Sequence, residues 1–157
     1  MNAGWVESLF NGTVLAMIGA ALAVLVAGLG SAKAVGMVGE AAAGLITEEP
    51  EKFGQALLLQ ALPGTAFVIL NKIGIVGGAA VTLTTAQGFL FIFAALPIAI
   101  VGYFSAIAQA RAAIGGISII AKRPEELAKG ITFAAMVETY AVLALLASIL
   151  MVFGIAL

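Results

Sequence analysis

The residue with the clearest chemical potential is Glu138, an acid within a long apolar run. It lies eight residues after Gly130, which places it about 12 Å into a helix that rises about 1.5 Å per residue. A carboxylate at that depth costs at least about 2.5–3.5 kcal/mol on insertion scales and marks a functional site by default. Either a proton or a bound cation neutralises it, so Glu138 is predicted to load and release an ion reversibly. A purely structural, hydrogen-bonded glutamate is the alternative.

Three other groups carry polar atoms at membrane depth. Gln109 lies in the cytoplasmic half of the predicted third span, and Thr65 follows Leu62, Pro63 and Gly64 in the second. Pro63 lacks an N–H, so it frees a carbonyl one turn earlier; freed carbonyls in broken membrane helices coordinate Na⁺, although a simple kink is the alternative. Thr139 follows the glutamate directly but points about 100° away around the helix.

The composition indicates that the solvent is lipid and excludes several kinds of chemistry. Of 157 residues, 63% are hydrophobic and 10% are charged, whereas a typical soluble domain has about 25% charged residues. Cysteine and histidine are absent, which excludes disulfides, thiol chemistry, histidine-ligated haem and the usual zinc sites. The net charge of −1 gives no case for nucleic-acid binding, and no organic cofactor is predicted.

Four apolar runs are long enough to cross a bilayer, which takes about 20 helical residues. We therefore predict an all-α membrane protein with one membrane domain over residues 1–157. Helices at about 8–47 and 53–71 form a first hairpin (8–71), and helices at about 88–121 and 124–157 form a second (88–157). The Gly- and Thr-rich stretch 77–87 is predicted to be a loop. The N-terminus lacks a positive n-region, so no cleavable signal peptide is expected.

Two short charged loops, residues 48–52 and 122–126, connect the helices of each hairpin. Each contains a proline, which is tolerated in the first turn of a helix but not deep inside one. With four spans, both loops lie on one side of the membrane and both termini on the other. The side with the loops holds Lys33, Lys52, Arg111, Lys122, Arg123 and Lys129, and the opposite side only Lys72. The positive-inside rule places the loops in the cytoplasm and the termini outside the cell.

The two hairpins are related by an internal repeat of 74 residues. Pro50 and Glu51 align with Pro124 and Glu125 in the equivalent loops, and Ser31 aligns with Ser105. This indicates a duplicated hairpin with both copies in the same orientation, as in parallel repeats related by an axis along the membrane normal. Glu138 aligns with Gly64, so two hairpins share one intramembrane carboxylate.

Glycines recur along the first and third helices. In lipid, small residues allow helices to approach closely, but each helical glycine costs about 1 kcal/mol relative to alanine. A tightly curved array of helices, such as the inner wall of a ring, would offset that cost; ordinary packing within a four-helix monomer is the alternative. The glycines concerned are Gly19, Gly28, Gly30, Gly36, Gly39, Gly44, Gly115 and Gly116.

The sequence resembles the duplicated proteolipid (c or K) subunit of bacterial V-type rotary ATPases. The resemblance covers nearly the whole chain from Gly30 onward and is specific only when its motifs are taken together. It is densest in GSAKAVGM (30–37), PEKFGQAL (50–57), LPGT (62–65), LPIA (96–99) and FAAMVETY (133–140).

The resemblance implies a ring of identical four-helix subunits in the cell membrane, each holding one ion at Glu138. In sodium-translocating members, Thr65, Gln109 and the backbone carbonyl of Leu62 match ion ligands. The implied partners are identical subunits, lipid, a membrane stator that exchanges the ion, central-stalk subunits and a soluble head that hydrolyses ATP. The chain itself would therefore be non-catalytic.

The chain departs from the sodium-type pattern just after the LPGT motif. Members of that type have a glutamine and then a tyrosine in this region, where this chain has Ala66, Phe67 and Ile69. A hard cation needs several oxygen ligands, so this loss weakens the case for Na⁺. Gln109 argues the other way, because a proton site needs no such amide. The balance favours Na⁺ over H⁺.

Two other functions are alternatives to a rotor subunit. A stand-alone small ion channel or transporter would use Glu138 as a pore residue, and a membrane scaffold would transport nothing. One acid per pair of hairpins favours the rotor. The chain also lacks the phosphate-binding motif GxxxxGK[ST], so energy from ATP would have to come from partner subunits.

Overall fold

A computed structural model describes residue 4, residues 10–52 and residues 82–157. Three long α-helices account for most of these residues: α1 (Gly12–Glu48), α2 (Thr85–Lys122) and α3 (Leu127–Gly154). Short 3-10 helices follow α1 at Pro50–Lys52 and α2 at Pro124–Glu126. By length and composition, the spans containing α1, α2 and α3 can each cross a membrane. The predicted second span, 53–71, lies outside the described residues.

The N-termini of α1 and α2 are set by side-chain caps. The Asn11 side chain accepts a hydrogen bond from the Val14 N–H at 2.9 Å, so α1 begins at Gly12 rather than near residue 8. At α2, the Thr84 N–H donates to Gln87 Oε1 at 2.8 Å and the Gln87 N–H donates to Thr84 Oγ1 at 3.3 Å. This capping box satisfies N–H groups that a helix start leaves unpaired, which is why α2 begins three residues before the predicted Gly88.

The loop between α2 and α3 is a tight turn around Pro124. Proline disfavours helical geometry in the residue before it, and Arg123 has φ −144° and ψ 84°. The chain then forms the 3-10 helix, and α3 begins at Leu127 rather than at 124. Lys129 Nζ and Glu126 Oε2 form an ion pair at 2.7 Å, which contributes little because the lysine is largely exposed.

Glycines set the close approach of α1 to α2. A Cβ atom at Gly19 would lie 2.8 Å from the carbonyl oxygen of Phe91, and one at Gly30 would lie 2.6 Å from Cα of Tyr103. Neither position can hold a side chain unless the backbone moves. Gly116 and Gly130 bring α2 and α3 together in the same way, since a Cβ on Gly130 would lie 2.9 Å from Cα of Gly116.

Seven of the eight predicted glycines divide into two groups. Gly19, Gly30 and Gly116 pack within the subunit, as the monomer alternative expected. A Cβ added to any member of the second group would meet nothing within 4 Å. That group consists of Gly28, Gly36, Gly44 and Gly115.

Two apolar clusters, both rich in alanine, hold the three helices together. One lies toward the C-terminal end of α3 and includes Phe91, Ile98 and Val152; the other lies toward the charged loops and includes Val38, Ile117 and Ala134. On α3, Glu138 falls between Ala134 of one cluster and Val152 of the other. Along the axis of α3, the carboxylate therefore lies between two alanine-rich layers.

Candidate ion-binding site

The structure brings Glu138 of α3 and Gln109 of α2 together. Gln109 Nε2 donates a hydrogen bond to Glu138 Oε2 at 3.2 Å. Both side chains are half-buried. The two residues are 29 positions apart in sequence, and the antiparallel packing of α2 and α3 places them at the same level. A hydrogen bond from an amide to a carboxylate fixes the direction of the carboxylate.

The other polar atom of this amide, Oε1 of Gln109, faces no hydrogen-bond donor within residues 10–52 and 82–157. The pair therefore offers carboxylate and amide oxygens, which are the ligand types that hard cations prefer. No group of three acidic, histidine or cysteine side chains that could hold a metal ion occurs within residues 10–52 and 82–157.

Ser105 supports the site from one helical turn away. Its hydroxyl donates to the backbone carbonyl of Val137, the residue before Glu138, at 3.0 Å. Ser105 is buried, and it lies four residues before Gln109, so the two side chains occupy one face of α2. Sequence reasoning noted Ser105 only as the repeat partner of Ser31. The sequence feature that could have identified Ser105 is its spacing of four residues, one helical turn, from Gln109.

A second serine joins the same two helices farther from the carboxylate. The Ile98 N–H donates to Ser148 Oγ at 3.2 Å, and Ser148 is buried. Pro97 lies inside α2, where it lacks an N–H and disturbs the helical hydrogen-bond ladder. The carbonyl that loses its partner is that of Phe93, four residues earlier, so the Ile98–Ser148 hydrogen bond adds a contact beside the proline and does not replace the missing one. Sequence reasoning quoted Pro97 in a motif but did not connect it with Ser148.

The other residues predicted for the site fall in two places. Thr139 is exposed, and its hydroxyl donates to the Met136 carbonyl at 2.8 Å, in keeping with the predicted direction away from the carboxylate. Thr65 and the Leu62 carbonyl lie outside the described residues, as do Pro63 and Ala66.

An apolar groove borders the site between α2 and α3. Its volume is about 660 Å³. Ser105 and Val137 belong to its lining, so it reaches the hydrogen bond that supports Glu138. The rest of the lining is Ile100, Val101, Phe104, Ala108, Met136 and Tyr140. Phe104, Met136 and Tyr140 are each more than 60% exposed, a degree of apolar exposure that suits contact with lipid or another helix rather than water.

A family model described as the C subunit of ATP synthase matches the chain twice, at residues 18–70 and 92–151. The two matches begin 74 positions apart, which is the offset of the internal repeat. Together they cover well over half of the sequence, including Gln109 and Glu138. The double match indicates a duplicated hairpin, one copy in each half of the chain.

Two relatives match over 146 residues, or 90% of this chain. The first is V-type sodium ATPase subunit K of Enterococcus hirae, which is 54% identical over 92% of that protein's length. The second is A-type ATP synthase subunit K of Methanocaldococcus jannaschii, which is 35% identical over 63% of that protein's length. The predicted resemblance to rotary ATPase proteolipids is thereby confirmed.

The three long apolar helices and these relatives agree on a multi-pass membrane protein. Within the described residues, polar side chains in the interior of the bundle are few, and Gln109 and Ser105 meet α3 at the level of one carboxylate. The chain belongs to the ATP synthase C-subunit family, the membrane proteolipids of rotary ATPases.

Proposed function

We propose that the chain is the ion-carrying rotor subunit of a V-type ATPase and that Glu138 binds one cation per subunit. The observation that carries this proposal is the hydrogen bond from Gln109 Nε2 to Glu138 Oε2 at 3.2 Å. It places an amide beside a membrane-embedded carboxylate, and intramembrane acids mark ion pathways. Membership of the ATP synthase C-subunit family and similarity to a relative named V-type sodium ATPase subunit K support the same function.

The proposed ligands are the carboxylate of Glu138, the amide oxygen of Gln109, the hydroxyl of Thr65 and the backbone carbonyl of Leu62. All four are oxygen donors, and only one carries a full charge. Such a set neutralises a single monovalent cation without leaving excess charge in the membrane. We infer Na⁺ rather than H⁺, because a proton needs only the carboxylate and makes no use of the three neutral donors.

The neutrality of the loaded site explains how it serves a rotor. With a cation bound, the glutamate has no net charge and can pass through lipid at modest cost. Without the cation, the bare carboxylate is unstable there. Loaded subunits therefore move through lipid, while unloading requires a polar surface on a stator. Rotation, driven by ATP hydrolysis in a soluble head through central-stalk subunits, then moves ions in one direction. The chain itself catalyses no bond-breaking step.

The assembly that follows is a ring of identical subunits within the cell membrane. Gly28, Gly36 and Gly44 of α1 have open space beside them, which allows a neighbouring helix to approach closely at those positions. Both charged loops are placed on the cytoplasmic side, where the central stalk and soluble head would bind, and both termini on the opposite side.

The central experiment replaces the carboxylate by its neutral isostere in the reconstituted complex. Glu138→Gln is expected to abolish ATP-driven ion uptake into vesicles, because the amide cannot exchange a cation. Glu40→Gln is the matched control: it removes an exposed acid of α1 and should leave uptake unchanged. The mass of the detergent-extracted complex establishes that each variant still assembles; a monomeric wild-type mass, or intact uptake in Glu138→Gln, contradicts the proposal.

The identity of the ion is tested by chemical labelling. A carboxyl-reactive carbodiimide is expected to modify Glu138 in the wild-type ring, and Na⁺ should protect it at constant pH. Potassium at the same ionic strength is the control and should protect much less. Labelling that depends on pH but not on Na⁺ would identify the transported ion as a proton.

A further inference from the structure

Ser105 and Ser148 are the buried polar side chains of the described part of the chain. Each bonds to the backbone of the other helix: Ser105 Oγ donates to the Val137 carbonyl at 3.0 Å, and Ser148 Oγ accepts from the Ile98 N–H at 3.2 Å. Ser148 bonds to the N–H of the residue that follows Pro97, where the proline disturbs the helix. Ser105 lies eight residues past that proline on α2, so its hydrogen bond needs another explanation.

The position of the Val137 carbonyl, directly before Glu138 in the chain, gives that explanation. That carbonyl belongs to the peptide group joining Val137 to Glu138, so holding it fixes the position of the glutamate's own backbone. Ser105 and Gln109 are one turn apart on α2 and bond to consecutive residues of α3. Ser105 therefore holds the backbone of the carboxylate while Gln109 holds its side chain.

On the side of the apolar groove, α3 has few packing contacts at this level. Ala99 and Gly102, the buried residues of α2 just before Ser105, are small, and a Cβ on Gly102 would meet Ala27 of α1 rather than α3. The apolar groove of about 660 Å³ opens beside Ser105 and Val137. In lipid, hydrogen bonds between helices and close packing, rather than hydrophobic burial, hold helices in register. The groove leaves little packing on this side of α3, so the hydrogen bond contributes to the register at this level.

We propose that Ser105 is a positioning residue for the ion site: its hydrogen bond to the Val137 carbonyl keeps the Glu138 carboxylate aligned with Gln109. The proposal rests on the proposed ion-carrying function and adds a residue that does not itself touch the ion. Ion coordination depends on distances of a few tenths of an ångström. Loss of the hydroxyl therefore weakens ion binding even though every ligand remains.

The test compares single variants in the assembled ring, with the carbodiimide reaction of Glu138 as the readout. Ser105→Ala is expected to raise the Na⁺ concentration that half-protects Glu138 by about three- to tenfold, the range that corresponds to one hydrogen bond between membrane helices. Ser105→Thr keeps a hydroxyl and adds a methyl group next to the groove, so it should restore protection to near the wild-type value.

Ser148→Ala is the matched control. It removes a hydrogen bond of the same kind from the same pair of helices, about 15 Å from Glu138 along α3. It should leave the half-protecting Na⁺ concentration unchanged. An equal shift in Ser148→Ala would show that any loosening of α2 against α3 affects the site. That result, an unshifted Ser105→Ala, or a failure of Ser105→Thr to recover would each overturn the positioning role.

The test of Ser105 and the test of the proposed function can fail independently. If Na⁺ does not protect Glu138 of the wild-type ring from carbodiimide, the proposal of a sodium site is wrong. The role of Ser105 is then decided by ATP-driven uptake, in which Ser105→Ala should raise the half-saturating concentration of the transported ion more than it lowers the maximal rate. An unchanged half-saturating concentration in Ser105→Ala would overturn the positioning role of Ser105 in this assay as well.

Discussion

At the scale of single residues, the chemistry of the chain depends on how one carboxylate is held. Gln109 bonds to the Glu138 side chain and Ser105 to the backbone just before it. Thr139, although adjacent in sequence, turns away and bonds to its own helix. Proximity to Glu138 along the chain is therefore a poor guide to contact, and residues of the facing helix matter more.

Removal of the amide tests this contact directly. Gln109→Ala deletes a hydrogen bond to a charged group, which is worth about 1.5–3 kcal/mol, together with a proposed ligand. The Na⁺ concentration that half-protects Glu138 from carbodiimide should rise by about one to two orders of magnitude. Gln87→Ala is the control, because Gln87 Nε2 also donates across the bundle, to the Ala156 carbonyl (2.8 Å), but at the far end. Equal protection of the Gln109→Ala and wild-type rings would remove Gln109 from the site.

At the scale of helices, small residues decide how closely the elements approach. Gly30 packs against the backbone of Tyr103, whereas Gly28, two residues earlier on the same helix, meets nothing within 4 Å. The two positions have the same intrinsic helix propensity and differ only in their surroundings. They therefore separate the effect of packing from the effect of glycine itself.

The pair gives a prediction for stability. Gly30→Ala should lower the unfolding free energy of the detergent-solubilised subunit by about 1–3 kcal/mol, because its Cβ would lie 2.6 Å from Cα of Tyr103. Gly28→Ala should leave stability unchanged or raise it by up to about 1 kcal/mol through helix propensity. Loss of helical circular dichroism during titration with a denaturing detergent measures both. Equal stability of the two variants would mean that α1 and α2 are not in close contact at Gly30.

At the scale of the whole molecule, the proposal is a rotor subunit whose energy comes from partner subunits. Its charges concentrate at the ends of the helices near the two short loops, and exposed apolar side chains such as Phe104, Met136 and Tyr140 lie on its outer surface. This distribution suits a body that rotates within lipid and contacts soluble partners on one side only. The side of the membrane on which the two charged loops lie is then the side on which the soluble head hydrolyses ATP.

The proposed orientation is testable because the chain has no cysteine, so an introduced thiol gives the sole labelling signal. Glu125→Cys lies in the exposed turn before α3, and Leu157→Cys lies at the opposite end of that helix. A membrane-impermeant maleimide should label Leu157→Cys in intact cells and Glu125→Cys only in inverted vesicles. The reverse pattern would invert the proposed orientation.

Hydropathy and composition were enough to predict the three described helices and a multi-pass membrane protein, and the 74-residue internal repeat predicted the duplication. These properties do not depend on how the helices are arranged against one another. The helix starts were less accurate, because Asn11 and the Thr84–Gln87 capping box set them through local hydrogen bonds that hydropathy does not detect.

The contacts of Glu138 and the division of the glycines into packed and open positions required the folded structure. The sequence singled out Gln109 by its rarity at such depth, but its contact with the carboxylate depends on the register of two antiparallel helices. The role of Ser105 and the pairing of Ser148 with the backbone beside Pro97 depend on the same register. The physical reason is that register and rotation are set by atoms on both helices at once, through close contacts and hydrogen bonds that neither segment specifies alone.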